Sequence, residues 1–566
     1  MSKKICVAQS PDELKFILSK VDVNLVCVPL SLHTQLYCIK NKIKFYNPIN
    51  FIDNNFYQNA LTESENLINS LDCGNLNYES HIKEYKIVIR DAFNSIIFVI
   101  ELLEKIINSE KVEEIIISGW NNYISPYSIK NHFISSILTS SLFKTKITKL
   151  SNPEDKKIKK INEFKYIIKN KNLKKNKNYI LLNTFGYNFT RIILDLAKKN
   201  CNILIPSFSK HLGKNKIGFF KKIILRLLKV IIIEMDAVEK NSNEKLNIPD
   251  IKFFYKGKDL SKFLNLKKEQ EKNTFLKIRG ICNEIDNLFE KANIKLVLTN
   301  FTRGIDGYYL EQAKKKNVIS ICIPHGTIPE NFNKYDKIYK KFIAEHQLSE
   351  QSNFFAIQSK IAKDFIHSFK INHECIETGN LIFGDGKNKK KKKIIFAVTL
   401  KGLQNIQYLG VEMYYEFLDN LNLLNNLAKK HNFNICVKLH PYANPCFDDL
   451  EKTFKNLKFT KKKIDKLFKD AFLTISFSST VIEDSLYSNV PVILLDRWKR
   501  YKHCKAEENF KKKNSAIYYV NDEETLVNCI NTIKQSDNIT FNDYVFKGDT
   551  KTNISNLINK MLNYAQ

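Results

Sequence analysis

Residues 472–496 read FLTISFSSTVIEDSLYSNVPVILLD. FLTISFS (472–478) is a β-branched and aromatic run of strand length. Ser478, Ser479 and Thr480 are residue types that cap helices, and the stretch after them carries Glu483 and Asp484 in what would be the first helical turns. VPVILLD (490–496) is a second apolar run. Strand, turn, helix and strand in so few residues is a parallel βαβ unit. Upstream, ICVKLHP (435–441) and IIFAVTL (394–400) repeat the pattern. They are preceded by KNKKKKK (387–393), which reads as an interdomain hinge.

The same alternation fills the rest of the chain. ICVAQ (5–9), NLVCVPL (24–30), IKFYN (43–47), EEIIISG (113–119), YILLN (179–183) and NILIP (202–206) are strand-like runs separated by helical stretches. The expected fold is α/β, with two Rossmann-type domains facing a cleft that holds the ligand. The first spans 1–386 with basic insertions at about 151–178 and 207–270, and the second spans 387–566. GFFKKIILRLLKVIIIEM (218–235) stands apart, because its four cations Lys221, Lys222, Arg226 and Lys229 recur at helical spacing among apolar residues. This predicts one helix with a narrow cationic stripe. It is either an internal helix whose stripe meets solvent or a contact with an anionic membrane surface.

Composition narrows the class. Of 566 residues 43% are hydrophobic, too many for a disordered chain, and the length exceeds what one core supports. Twelve cysteines occur with no C-x-x-C pair, which argues against a zinc or redox motif and for a reducing cytoplasm. The N-terminal residues MSKKICVAQSPDELKF lack a signal-peptide core, and no run approaches the roughly 20 apolar residues of a membrane span. The expected location is therefore cytoplasmic, peripheral on the inner face of the plasma membrane if 218–235 binds lipid. The 90 Lys+Arg against 59 Asp+Glu give +31, but lysine runs without interleaved aromatics and arginine do not resemble a nucleic-acid surface. No nucleic-acid partner is expected.

Chemistry-bearing residues fall at strand ends. Lys438, His440 and Pro441 close the strand at 435–441, where ligands of open α/β sheets bind. Ser478, Ser479 and Thr480 at a helix start offer hydroxyls and free N–H groups to a phosphate, or serve only as caps. Glu483 either meets a nucleotide ribose or interacts with the helix dipole. Within KLVLTNFTRGIDGYYLEQAKKKNVISICIPHGTIP (295–329), Asp306 and His325 lie at the carboxyl ends of neighbouring strands. A histidine there suits a general base, though Gly-Ile-Asp-Gly also reads as a simple turn.

His-Gly-Thr (325–327), Thr-Gly-Asn (378–380), Lys-x-His-Pro (438–441), Ser-Ser-Thr-x-x-Glu (478–483) and Ser-Asn-Val-Pro-Val-Ile (488–493) together resemble the GT-B glycosyltransferases of bacterial capsule and lipopolysaccharide synthesis. The set is most similar to the cytidine-donor branch: sialyl-, Kdo- and polysialyltransferases and CDP-glycerol glycerophosphotransferases. The resemblance covers about 295–500. It implies His440, Ser478 and Ser479 on the donor phosphate, Glu483 near the ribose, and His325 as base in a glycerophosphotransferase-like reaction. A sialyltransferase-like reaction would use a carboxylate of an acidic-acidic-Gly motif. Here Ile305, Asp306 and Gly307 supply only one of the two acids.

The implied reaction needs no cofactor and no metal, since a helix N-terminus and a histidine can neutralise a nucleoside monophosphate leaving group. The donor is a nucleotide-activated sugar and the acceptor a glycan or lipid-linked glycan. A UDP-sugar hexosyltransferase is the alternative, as is a UDP-N-acetylglucosamine 2-epimerase-like enzyme, whose Ser-Gly-Gly turn is replaced here at Ser479 and Thr480. A non-enzymatic basic binding protein ranks last, because it must treat the convergence of His325, His440 and the serine pair as accidental.

Overall fold

The structure is a computed structural model that describes residues 3–21, 24–118, 142–150, 163–168, 173–183, 189–208, 217–240, 246–324, 332–348, 350–369, 374–381, 383, 393–398, 413–546, 548 and 550–565. Three sheets carry the fold, and every ladder in them but one is parallel.

The first sheet contains β1 (Lys3–Ala8), β2 (Val26–Pro29), β3 (Val112–Ser118) and β4 (Lys146–Leu150), in the order β2-β1-β3-β4. Its helices are α1 (Pro11–Lys20), α2 (Leu32–Lys40), α3 (Asn54–Ser70) and the long α4 (Glu79–Glu110). Ser10, Ser31 and Asp53 cap the first three, each accepting a hydrogen bond from a backbone N–H of the first turn.

The second sheet uses β5 (Glu163–Ile168), β6 (Asn178–Leu182), β7 (Asn202–Phe208), β8 (Ile231–Lys240), β11 (Asn293–Thr299), β12 (Ile319–Cys322), β13 (Phe354–Ile357) and β14 (Glu374–Glu377), with β9 (Phe254–Tyr255) and β10 (Lys258–Asp259) forming a separate hairpin. Its order is β14-β13-β12-β11-β6-β7-β8-β5. The connecting helices are α5 (Phe189–Lys198), α6 (Phe219–Leu227), α7 (Ser261–Lys291), α8 (Gly304–Lys315), α9 (Lys334–Gln347) and α10 (Lys360–Ser368).

The third sheet contains β15 (Lys393–Ala397), β16 (Ile435–Lys438), β17 (Lys458–Thr460), β18 (Ala471–Ser476), β19 (Val492–Leu495) and β20 (Ile517–Val520), in the order β17-β16-β15-β18-β19-β20. Around it lie α11 (Tyr414–His431), α12 (Phe447–Thr453), α13 (Ile464–Phe468), α14 (Val481–Tyr487), α15 (Glu523–Lys534) and α16 (Thr550–Ala565).

The second and third sheets share one topology. From β6 in one sheet and β15 in the other the chain winds outward on one side, returns, and winds outward on the other, which is the Rossmann order, with β5 added antiparallel at the edge of the second sheet. The switch point, where such sheets open a crevice beyond the strand ends, lies between β6 and β11 in one sheet and between β15 and β18 in the other. The expected α/β fold with two Rossmann-type sheets is present.

Four features depart from the sequence reading. Residues 3–150 form a sheet of their own, whereas one sheet was expected across 1–386. The stretches expected as basic insertions supply strands, since β8 pairs in parallel with β7 and β5 runs antiparallel along β8. Segment 218–235 is not one helix: α6 ends at Leu227, Lys229 turns the chain with φ 58°, and β8 begins at Ile231. The last helix leaves the third unit, because Ile554, Leu557, Ile558 and Met561 of α16 join the core of the second sheet beside Leu182 and Phe189. The expected hinge at 387–393 lies almost wholly outside the described residues.

Candidate functional site

The carboxyl edges of the second and third sheets abut. Ser359 follows β13 and caps α10, its Oγ accepting the Ala362 N–H at 3.2 Å. The same hydroxyl donates to the Glu483 carboxylate on α14. Asn380 of the Thr-Gly-Asn segment donates to Asp484 at 3.1 Å, and the Tyr487 hydroxyl donates to the Gln358 carbonyl at 2.5 Å. Gln358 in turn holds the Pro324 carbonyl at 2.9 Å. The ends of β12 and β13 are thus tied through α14 to the turn that follows β18. The Thr-Gly-Asn and Ser-Ser-Thr-x-x-Glu segments, about 100 residues apart in sequence, meet here. Burial and the neighbouring Glu483 hold the Asp484 carboxyl well above the usual carboxylate range.

Gly379 between them has φ +65°, and a Cβ on it would stand 2.6 Å from Asn553 Nδ2 of α16, which also donates to the Asn380 carbonyl at 3.3 Å. Gly379→Ala is expected to cost roughly 1–3 kcal/mol, read as a lower urea midpoint, from left-handed strain and the displaced Asn553.

At the β15–β18 switch point, Ser478 is buried and hydrogen-bonds the Tyr501 side chain. Ser479 is half-buried, and its Oγ accepts the Val481 N–H at 3.2 Å in a local turn ahead of the helix, whose N-cap Thr480 makes no side-chain cap bond. Thr480 is exposed. Glu483 is buried with its carboxylate turned to Ser359 across the unit boundary. His440 is half-buried just beyond β16, one strand from the switch point. Lys438 is half-buried, its Nζ donating to the Leu439 carbonyl at 2.6 Å, and burial lowers its pKa. Pro441 opens the two-turn 3-10 segment Pro441–Cys446. His325 lies outside the described residues, although Pro324 before it is anchored by Gln358.

The β6–β11 switch point holds Asp306. It lies in the first turn of α8, which begins at Gly304 (φ 57°) close against the Glu84 carboxylate of α4. Burial is the main cause that pushes the Asp306 carboxyl up to about 7, with Glu84 adding to it while Asn183 and Arg303 oppose. Asn183, at the end of β6, is fully buried and its side chain hydrogen-bonds the Asp306 carboxyl. Thr299 on the adjoining strand end hydrogen-bonds the Cys322 side chain, while Asn300 Oδ1 is buried and unsatisfied. A buried carboxyl that titrates near neutrality at a sheet's switch point is a candidate acid–base group.

Sequence reading missed several groups here. Asp91 on α4 is also pushed up to about 7, chiefly by burial, and shares Arg303 and Glu84 as neighbours with Asp306. Arg303 pairs with Glu84 at 3.0 Å. The available signal was Arg90, Asp91 and Asn94 interrupting an otherwise apolar helical stretch. Near the third sheet, Asp496 after β19 accepts the Tyr501 N–H at 2.9 Å and the Tyr519 hydroxyl at 3.0 Å, while burial pushes it up to about 6.

In the first sheet the carboxyl-edge crevice is closed, and an open cavity of about 750 Å³ lies instead against Lys3, Val26, Tyr46 and Glu110. Between β1 and β3 its crevice is filled by Glu13, whose carboxylate accepts the Gln9 N–H at 2.7 Å and the Ser118 hydroxyl at 2.6 Å. No cluster of three His, Cys, Asp or Glu suited to a metal occurs among the described residues.

No protein-family model and no curated protein matches the chain. Among solved structures it is similar to the Methanocaldococcus jannaschii UDP-GlcNAc 2-epimerase in complex with UDP-GlcNAc and UDP, at 16% identity and TM-score 0.40, over 69% of this chain and 99% of that one. The Neisseria meningitidis UDP-GlcNAc 2-epimerase bound to UDP-GlcNAc is similar at 14% identity and TM-score 0.35, over 63% and 91%. A variant of the wall teichoic acid polymerase TagF soaked with CDPG is similar at 13% identity and TM-score 0.32, over 69% and 84%. At such values no residue role passes from those proteins to this one, and the Rossmann-type reading stands on the strand order of the two sheets.

Proposed function

We propose that this protein is a transferase of surface-polysaccharide synthesis, acting from a cytidine-activated donor of the CMP-sugar or CDP-glycerol type onto a glycan or lipid-linked glycan. The observation that supports it most is the abutment of two Rossmann-order carboxyl edges, one bearing the serine turn at 478–479 and the other the buried Asp306 held by Asn183.

In this reading His440, Ser478 and Ser479 bind the donor phosphate, with Lys438, Pro441 and Thr480 shaping the same rim and Glu483 holding α14 to α10. Ser479 would exchange its local bond with the Val481 N–H for the phosphate. For a sugar donor, an acceptor hydroxyl gives its proton to the Asp306 carboxylate as its oxygen bonds the anomeric carbon. The bond from that carbon to the phosphate oxygen breaks, and the leaving phosphate keeps the electron pair. His325 is the other candidate base. Donors aimed at the departing phosphate stabilise charge as it develops, which is where electrostatic stabilisation has most effect.

Thermal unfolding with CMP, CDP, UMP and UDP tests the donor site. A nucleotide at 100 times its dissociation constant adds about 2.7 kcal/mol, a rise of a few degrees. Cytidine nucleotides are expected to give that rise, and Ser478→Ala/Ser479→Ala to remove most of it. Stabilisation by UDP alone would move the reading to a UDP-sugar hexosyltransferase or epimerase-like enzyme. No stabilisation by any of the four would end the donor-site reading.

A further inference from the structure

Helix α6 shows solvent the face that a soluble helix normally hides. Phe219 is 74% exposed, Phe220 79%, Ile223 40%, Ile224 55% and Leu227 78%. Half of the ten large apolar side chains that stand exposed among the described residues are on these nine positions. With each helical residue advancing about 100°, the five occupy one continuous arc of roughly 140°. Arg226 borders that arc on one side and Lys221 on the other, both exposed. On the opposite side Leu225 is buried in the core of the second sheet, and Lys222 is tied to Glu234 of β8 at 2.6 Å. The helix is therefore held to the body by its back, so its outward apolar face is set by packing. The sequence reading expected a cationic stripe in solvent; Lys221, Arg226 and Lys229 do meet solvent, but so does the apolar arc between them.

We infer that α6 is a monolayer-inserting element that seats the protein on an anionic phospholipid surface. An apolar arc bordered by cations is the arrangement of helices that lie in the membrane interface, with aromatic and aliphatic side chains below the headgroups and basic ones among them. The exposed Arg226 and Lys229, on a chain carrying +31, favour a negatively charged surface. The same charge disfavours a second copy of this chain as the occupant, because two such faces would bring their cations together. Ile223, Ile224 and Leu227 give no stacking surface to bases, which argues against nucleic acid. No helix among the described residues is long and apolar enough to cross a membrane, so this contact is peripheral. Membrane seating by α6 does not depend on which reaction the protein catalyses.

Sedimentation of the full chain with sucrose-loaded vesicles tests this. Vesicles of phosphatidylcholine with 25% phosphatidylglycerol (an experimental choice) are expected to pull the protein down, and pure phosphatidylcholine vesicles to do so at least about tenfold more weakly. Phe220→Glu/Leu227→Glu, which alters only exposed positions, is expected to weaken binding to the anionic vesicles about 100-fold, since each buried side chain of this size contributes about tenfold or more. Arg226→Gln/Lys229→Gln should weaken it by about fivefold per cation and flatten its salt dependence. An unchanged far-ultraviolet spectrum and unfolding temperature in both variants show that the fold is intact. Three results would overturn the inference: no binding to anionic vesicles, binding unaffected by the Phe220/Leu227 variant, or a dimer in light scattering that this variant dissociates.

Discussion

Asp306→Asn is expected to slow donor turnover by roughly 10²–10⁴-fold, measured as nucleotide release in the presence of acceptor, because it removes the group proposed to take the acceptor proton. The pH profile carries the sign. A carboxyl pushed up to about 7 is half ionised there, so a rate that needs its anion rises through pH 6–8 and levels off above. Asp306→Asn should abolish that rising limb. Stability runs the other way: a carboxyl raised above its unfolded value contributes stability that is complete below about pH 4 and lost as pH climbs through about 7. The asparagine variant should therefore be no less stable than the parent at pH 8, which separates a catalytic defect from a folding one. Asp91 titrates in the same range, so Asp91→Asn is the necessary partner experiment. If that variant flattens the limb and Asp306→Asn leaves it, the base sits on α4; if neither does and turnover persists, His325 takes the role.

Arg500→Met is expected to cost about 3–5 kcal/mol, read as the urea shift of the first unfolding transition. Arg500 and Glu416 are a buried pair at 2.6 Å, with side chains 6% and 0% exposed. Glu416 also accepts the Tyr57 hydroxyl at 2.8 Å and the Met413 N–H at 2.9 Å. The guanidinium lies 4.3 Å from the centre of the Tyr57 ring and 5.1 Å from that of Phe477. Tyr57 belongs to α3 and the other groups to the third unit, so this cluster fastens the first unit to the third sheet. Removing the cation leaves Glu416 charged and desolvated, which is why the cost exceeds that of a surface pair. Arg500→Met/Glu416→Leu should recover much of the loss, because the stranded charge goes with it. A loss below about 1 kcal/mol in the single variant would mean that the pair is solvated and that another contact holds the units together.

Much of the architecture was readable because parallel strands covered on both faces are continuous apolar runs, and FLTISFS and VPVILLD need little else to declare themselves. The serine turn at 478–480 was readable for a similar reason, since turn chemistry is local. Segment 218–235 misled because its apolar residues satisfy helical and strand periods alike, and the left-handed turn at Lys229 leaves no mark in residue type. Asp91 was invisible for another reason. A polar residue in an apolar helix acquires meaning only when the helix is laid against Glu84, Arg303 and the end of β6.

Chain order and side-chain pattern thus determined the α/β class, most strand positions and the candidate groups at strand ends, all of which depend on neighbours within a few residues. Tertiary structure alone decided that residues 3–150 form a separate sheet, that α16 returns to the second sheet, that Asn380 meets Asp484, and that α6 turns its apolar face outward. Each of these is a choice among surfaces that are equally apolar or equally polar in the sequence. It is made by which distant segment can be buried against them, a quantity set by the packed whole and by no local window.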